Sequence, residues 1–154
     1  MIKKTIFICG IWLSLSGCAG EPAKTAQQNT PPTAQEVQVP APVQVPAELL
    51  AAGKAVYSAN CLACHQADGN GVPGLNPPLA GSEWVTGDKA KLVGTVLNGL
   101  RGPITVKGER YNGVMPQQSH LADADIAAAL TYVRNSFGNQ GDVINAEDVK
   151  AARK

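Results

Sequence analysis

Apolar residues recur at helical spacing in three stretches of the chain. From Glu48 to Ser58, Leu49, Ala52, Gly53, Val56 and Tyr57 fall on or near one face of a 3.6-residue period, just after Pro46. A second helix is predicted from about Asp88 to Asn98, bounded by a capping aspartate and by Gly99. The longest pattern runs from Asp123 to Phe137. There Ile126, Leu130, Val133 and Phe137 follow spacings of four, three and four, and Gly138-Asn139 supplies a stop. Asn145, with Asp148 three positions on, predicts a short tail helix. No clear strand appears between 48 and 154, so the class is all-α with long loops. Gly53 in mid-helix costs ~1 kcal/mol against alanine, which predicts a packing reason for it.

The chain before Glu48 reads differently. Lys3 and Lys4 precede a mostly apolar run from Thr5 to Ser16. That run is shorter than the ~20 residues a bilayer span needs, and it matches the central region of a secretory signal. It ends in Leu15-Ser16-Gly17-Cys18, which resembles the lipobox of bacterial lipoproteins. The resemblance implies removal of residues 1–17 and acylation of Cys18 as the mature N-terminus; an ordinary cleaved signal is the alternative. Several acyl chains anchor stably where one is marginal. Ala19 stands where an aspartate would favour retention in the inner membrane, so the same resemblance leans towards the outer membrane. From Cys18 to Ala47 the chain is a tether: Pro22, Pro31, Pro32, Pro40, Pro42 and Pro46 break any helix, and Gln, Ala and Thr fill the gaps. At ~3.1 Å per residue it could reach ~90 Å if fully extended, and nearer ~30 Å as a flexible coil.

Residues 48–154 are enough for one compact domain. They hold ten Lys and Arg against ten Asp and Glu. A formally neutral domain lacks the basic surface that nucleic-acid binding needs. Its large aromatics are few (Tyr57, Trp84, Tyr111, Tyr132 and Phe137), so a bound apolar body would help its core.

Cys61-Leu62-Ala63-Cys64-His65 identifies that body. Two thiols three positions apart, followed directly by an imidazole, form the attachment motif of a c-type haem. Each thiol can add across one vinyl group on the same porphyrin edge, and His65 then reaches the iron. Half of a zinc site is a poor alternative, because closed zinc sites need four ligands and Cys9 and Cys18 lie in the signal. A thioredoxin-like motif expects a βαβ setting that is not visible. Met115 is the only methionine besides the initiator. Pro116 pushes it out of helical geometry, which suits a ligand presented from a loop. The competing readings are a gap-filling core methionine and ligation by His120 instead. Gly69-Asn70-Gly71-Val72-Pro73-Gly74 satisfies a dinucleotide fingerprint, but Pro73, Pro77 and Pro78 forbid the helix that must follow. It is a turn.

The order of these motifs resembles class I cytochromes c across 48–154: a helix ahead of Cys61-Cys64-His65, then Asn76-Pro77-Pro78-Leu79-Ala80-Gly81, then Tyr111-Asn112-Gly113-Val114-Met115-Pro116, then the helix around Tyr132-Val133-Arg134. The resemblance implies the cytochrome c fold, with N- and C-terminal helices crossing over one covalent haem c, and Gly53 small so that the helix bearing Leu130 and Val133 can approach. It also implies His65 and Met115 as iron ligands, the Pro77 carbonyl as acceptor for the His65 ring, and Leu79 against the porphyrin face. Arg101, Trp84 and Tyr111 are candidates for the propionates.

Three functions fit this reading. One is a periplasmic, membrane-tethered electron carrier with no small-molecule substrate, exchanging electrons with a dehydrogenase, reductase or terminal oxidase. The second is a cytochrome subunit docked permanently on such a complex. The third, an open-site haem enzyme or sensor, needs Met115 absent from the iron.

Overall fold

The computed structural model describes residues 44–153. The expected signal (1–17), the lipidated Cys18 and the tether up to residue 43 lie outside the described residues. No helix among the described residues is long and apolar enough to cross a membrane.

Eight elements follow in order: α1 (Ala47–Asn60), α2 (Leu62–His65), α3 (Glu83–Thr86), α4 (Lys89–Asn98), β1 (Ile104–Val106), β2 (Glu109–Tyr111), α5 (Asp123–Arg134) and α6 (Ala146–Ala152). α1 begins one residue before the expected boundary. α4 is capped as its sequence predicts: the Asp88 carboxylate accepts the Lys91 amide at 2.7 Å. Asn145 and Asp148 form a reciprocal capping box on α6.

α1 packs on α5 through Gly53. A Cβ there would lie 2.1 Å from the Ala128 carbonyl oxygen and 2.7 Å from Tyr132 Cβ, so the missing side chain is what lets the two backbones meet. Ala52, placed on the apolar face by its spacing, is exposed. The second face of α5 meets α4 and α6 through Ile126, Leu130, Leu92, Val93 and Val149, all buried.

Two expectations need correction. The first is the absence of strands. Ile104–Val106 and Glu109–Tyr111 pair antiparallel, closed by Lys107 (φ 51°) and Gly108 (φ 81°), the two left-handed residues of a tight hairpin turn. Three-residue strands are too short to show a period. The hairpin is tied to α3 instead: the Lys107 amide donates to the Glu83 carboxylate at 3.0 Å, and the Trp84 indole donates to the Thr105 carbonyl at 2.9 Å. The second is the end of α5, which stops at Arg134 rather than Phe137. Phe137 turns into the left-handed region (φ 58°). There its ring packs 5.5 Å from Tyr57 and 5.6 Å from Tyr132. Buried Asn139 holds the turn, donating to the Val133 and Leu79 carbonyls and accepting the Gly81 amide.

Candidate functional site

The pentapeptide 61–65 is wound into the junction of α1 and α2. The Cys61 amide donates to Tyr57 O at 2.8 Å, and the His65 amide donates to Cys61 O at 2.9 Å. Helical winding puts Cys61 and Cys64 one turn apart, so both thiols share a side. Cys61 is half-buried and Cys64 exposed. Burial, with Cys64 beside it, pushes the Cys61 thiol up to about 11, so at neutral pH it carries its proton. Among the described residues no group of three His, Cys, Asp or Glu side chains is arranged to hold a metal. After His65 the chain leaves abruptly. Gln66 sits at φ 63° and ψ 164°, a conformation costly for any side chain. The Tyr57 hydroxyl holds it, donating to the Gln66 carbonyl at 2.6 Å.

The His65 ring is fixed by its Nδ1, 3.1 Å from the Pro77 carbonyl. A carbonyl only accepts, so Nδ1 carries the proton and Nε2 keeps its lone pair. Gly71 makes this approach possible. A Cβ there would fall 2.4 Å from Asn76 O and 2.6 Å from Pro77 O, and at φ 66° the position suits only glycine. Desolvation lowers the proton affinity of His65, partly opposed by the bond to Pro77. The imidazole is therefore neutral, the form a metal binds.

Met115 is held from the other side of the chain. Its amide donates to Leu100 O and its carbonyl accepts from the Leu100 amide, both at 2.9 Å. Gly99 (φ 71°) permits the contact, since a Cβ there would meet Met115 O at 2.5 Å. His65 and Met115 are both walls of an apolar cavity, about 660 Å³ with the solvent-open space at its mouth included, that also reaches Cys61 and Leu79. Val85, Leu92, Leu130 and Val133 complete it. An adjoining cavity of about 480 Å³ shares His65, Pro77 and Met115 and opens at Cys64, Leu75 and Val114. A larger open groove of about 840 Å³ between α4 and α6 has no such chemistry. Its Arg153 is spent on Asp123 and on the carbonyls of Ser119 and Leu121.

His120 is exposed and lines neither of the two joined cavities. Of the three propionate candidates, Trp84 has given its N–H to Thr105, and the Tyr111 hydroxyl donates to Glu109 at 2.9 Å. Arg101 is exposed. Sequence reasoning placed Gly71 in a turn and Gly99 at a helix end, but missed what they and Leu100 do for the site. Each acts through a contact distant along the chain, and the only local signal was a glycine where a helix or turn must end.

A family model for cytochrome c matches residues 50–137. The chain belongs to the cytochrome c family. It is a class I member, with a single covalently bound haem c. It is 41% identical over 110 residues to cytochrome c-552 of Thermus thermophilus, covering 66% of this chain and 83% of that one. It is 34% identical over 104 residues to the cytochrome c subunit of the quinone alcohol dehydrogenase of Gluconobacter oxydans, covering 66% of this chain and 22% of the relative. With the cbb3-type cytochrome c oxidase subunit CcoP of an Azospirillum strain it shares 42% over 99 residues, 59% of this chain and 30% of that subunit. The two subunits are thus matched over less than a third of their length.

The residues present fit the family's haem. An apolar slot bounded by a neutral imidazole with a free Nε2, a thioether and a pair of thiols has the donor set and surroundings that a covalent porphyrin needs.

Proposed function

We propose that this cytochrome is a membrane-tethered periplasmic electron carrier, its haem attached through Cys61 and Cys64 and its iron closed by His65 and Met115. The observation that carries the reading is the shared cavity: one neutral imidazole reaches it from the end of α2 and one thioether from a separate loop, each held by backbone hydrogen bonds. When bound, the haem supplies a one-electron couple. The chain's own residues orient the imidazole through Pro77, present the sulfur through Leu100, and exclude water with Leu79, Val85 and Val133. With both His65 and Met115 on the iron no position would be left open, which favours transfer over bond-making chemistry.

Substituting Met115→Ala is expected to abolish the iron–sulfur charge-transfer band of a low-spin oxidised spectrum, while His120→Ala leaves it in place. A high-spin wild-type spectrum, or one indifferent to Met115→Ala, would remove this reading in favour of an open-site enzyme or sensor.

Electrons would pass at the exposed edge around Cys64. Three large apolar residues are well exposed among the described ones, Leu62, Leu75 and Val114. Leu75 and Val114 rim the cavity mouth beside Cys64, and Leu62 lies within the attachment motif. With a formally neutral domain, this favours brief apolar contact with a dehydrogenase, reductase or oxidase over charge steering. Permanent residence on such a complex is the second reading, supported by the relatives named as subunits.

The anchor rests on Leu15-Ser16-Gly17-Cys18. Fractionation is expected to find the wild-type protein with membranes and Cys18→Ser released into the soluble periplasmic fraction. Equal distribution of the two would exclude lipidation.

A further inference from the structure

Among the described residues Arg134 is a cation without a counter-ion. It is 3% exposed, and its guanidinium donates to three neutral acceptors: Val85 O at 2.6 Å, Gly87 O at 3.1 Å and Asp142 O at 3.0 Å. Among the described residues it forms no ion pair; the two present are Lys89–Asp148 and Arg153–Asp123. The carboxylates at or next to the acceptor carbonyls are occupied elsewhere or turned to water. Asp88 caps Lys91, and Asp142 is exposed. Arginine stays charged even when buried. A buried charge of this kind is solvated by the carbonyl dipoles it binds, and its field is little screened by salt.

The place of that charge matters. Val85, which accepts one of its bonds, and Val133, its chain neighbour, are both walls of the 660 Å³ cavity. The field of Arg134 therefore falls on the haem pocket through one layer of apolar side chains. We infer that Arg134 sets the reduction potential of this cytochrome, holding it above the value the haem would have beside a neutral residue. The inference rests on the haem occupying that cavity. Reduction adds one electron to the iron and so lowers its positive charge. A fixed cation nearby favours the reduced form. At an effective dielectric of ~20, a unit charge ~12 Å away alters such an equilibrium about tenfold. For a one-electron couple, tenfold is 59 mV.

Potentiometric titration of the haem-loaded protein tests this. Arg134→Met is expected to favour the oxidised form about tenfold, whereas Arg134→Lys, which keeps the charge and loses the fork, stays within about twofold of wild type. Gly141 offers a second route that keeps the arginine. A Cβ there would sit 2.9 Å from Arg134 Nε. Gly141→Asp would therefore set a carboxylate against the guanidinium, with Gly141→Asn as its uncharged match. The aspartate variant is expected to favour the oxidised form several-fold more than the asparagine variant, at low and at high salt alike. Equal potentials for the Asp and Asn variants, equal shifts for Lys and Met, or a difference that vanishes at high salt would overturn the inference. Denaturant midpoints, read alongside, separate lost stability from altered potential. The ligand assignment is judged by the Met115→Ala spectrum instead, because the Asp–Asn difference reads charge whichever side chain closes the iron.

Discussion

A chain made without its haem, as in a Cys61→Ala/Cys64→Ala double variant, is expected to be molten rather than native. The enclosed part of the cleft it would leave is about 90 Å³ and walled by Leu79, Val85, Leu92, Leu130 and Val133. Cavities in protein cores cost ~24 cal/mol per Å³. At that rate the enclosed part left empty would alone cost ~2 kcal/mol, a sizeable share of the stability of a domain this size. Water cannot relieve that cost, because apolar walls offer it no partners. The two core clusters, Leu92–Ile126–Leu130 on one side and Tyr57–Val85–Val133 on the other, meet across this space. Without the porphyrin they would collapse against each other. Circular dichroism is expected to retain much of the helical signal while near-ultraviolet fine structure disappears. A sharp cooperative melt in the haem-free chain would contradict this account.

Gly53→Ala should unfold or severely weaken the loaded protein. Two effects oppose each other here. Alanine in mid-helix gains ~1 kcal/mol of intrinsic propensity over glycine. Against that, the new methyl would sit 2.1 Å from a backbone oxygen of Ala128 and 2.7 Å from Tyr132 Cβ, so helix α5 itself must move. Overpacking of a core typically costs 1–3 kcal/mol, and a clash with backbone has no rotamer to escape into. The net expectation is a loss of about 2 kcal/mol, read as a lower denaturant midpoint at unchanged slope. A neutral or stabilised variant would mean that α1 and α5 do not meet at this glycine.

Much of this was legible before any coordinates. Local signals were enough where the determinant is local. Asp88 caps α4 because its carboxylate lies within reach of an amide three residues on, and the Asn145–Asp148 box works the same way. Gly53 could be flagged because a glycine in mid-helix contradicts propensity, and its partner followed from the family resemblance. Where determinants are distant in sequence, the pattern was silent. Phe137 continues the apolar stripe of α5, yet contact with Tyr57, eighty positions earlier, draws it out of the helix. The hairpin 104–111 is held by Glu83 and Trp84, which no periodicity within it could reveal. Arg134 stands near a helix end, where arginines usually reach water. Only its enclosure by the carbonyls of Val85, Gly87 and Asp142 shows otherwise. Within the pocket, the chemistry-bearing side chains were visible from spacing, but the glycines at 71 and 99 that let two loops close on it were not.

The paired hydrogen bonds between Leu100 and Met115 have a consequence for poisoning. With sulfur on the iron, a small anion such as cyanide could bind only after the methionine swings away. Both backbone groups of that residue are already spoken for, and Gly99 leaves no slack beneath them. Detachment is then left to rotation of the side chain alone, and the pinned main chain keeps the sulfur close enough to return, so inhibitors that disable open haem proteins would have to compete with it.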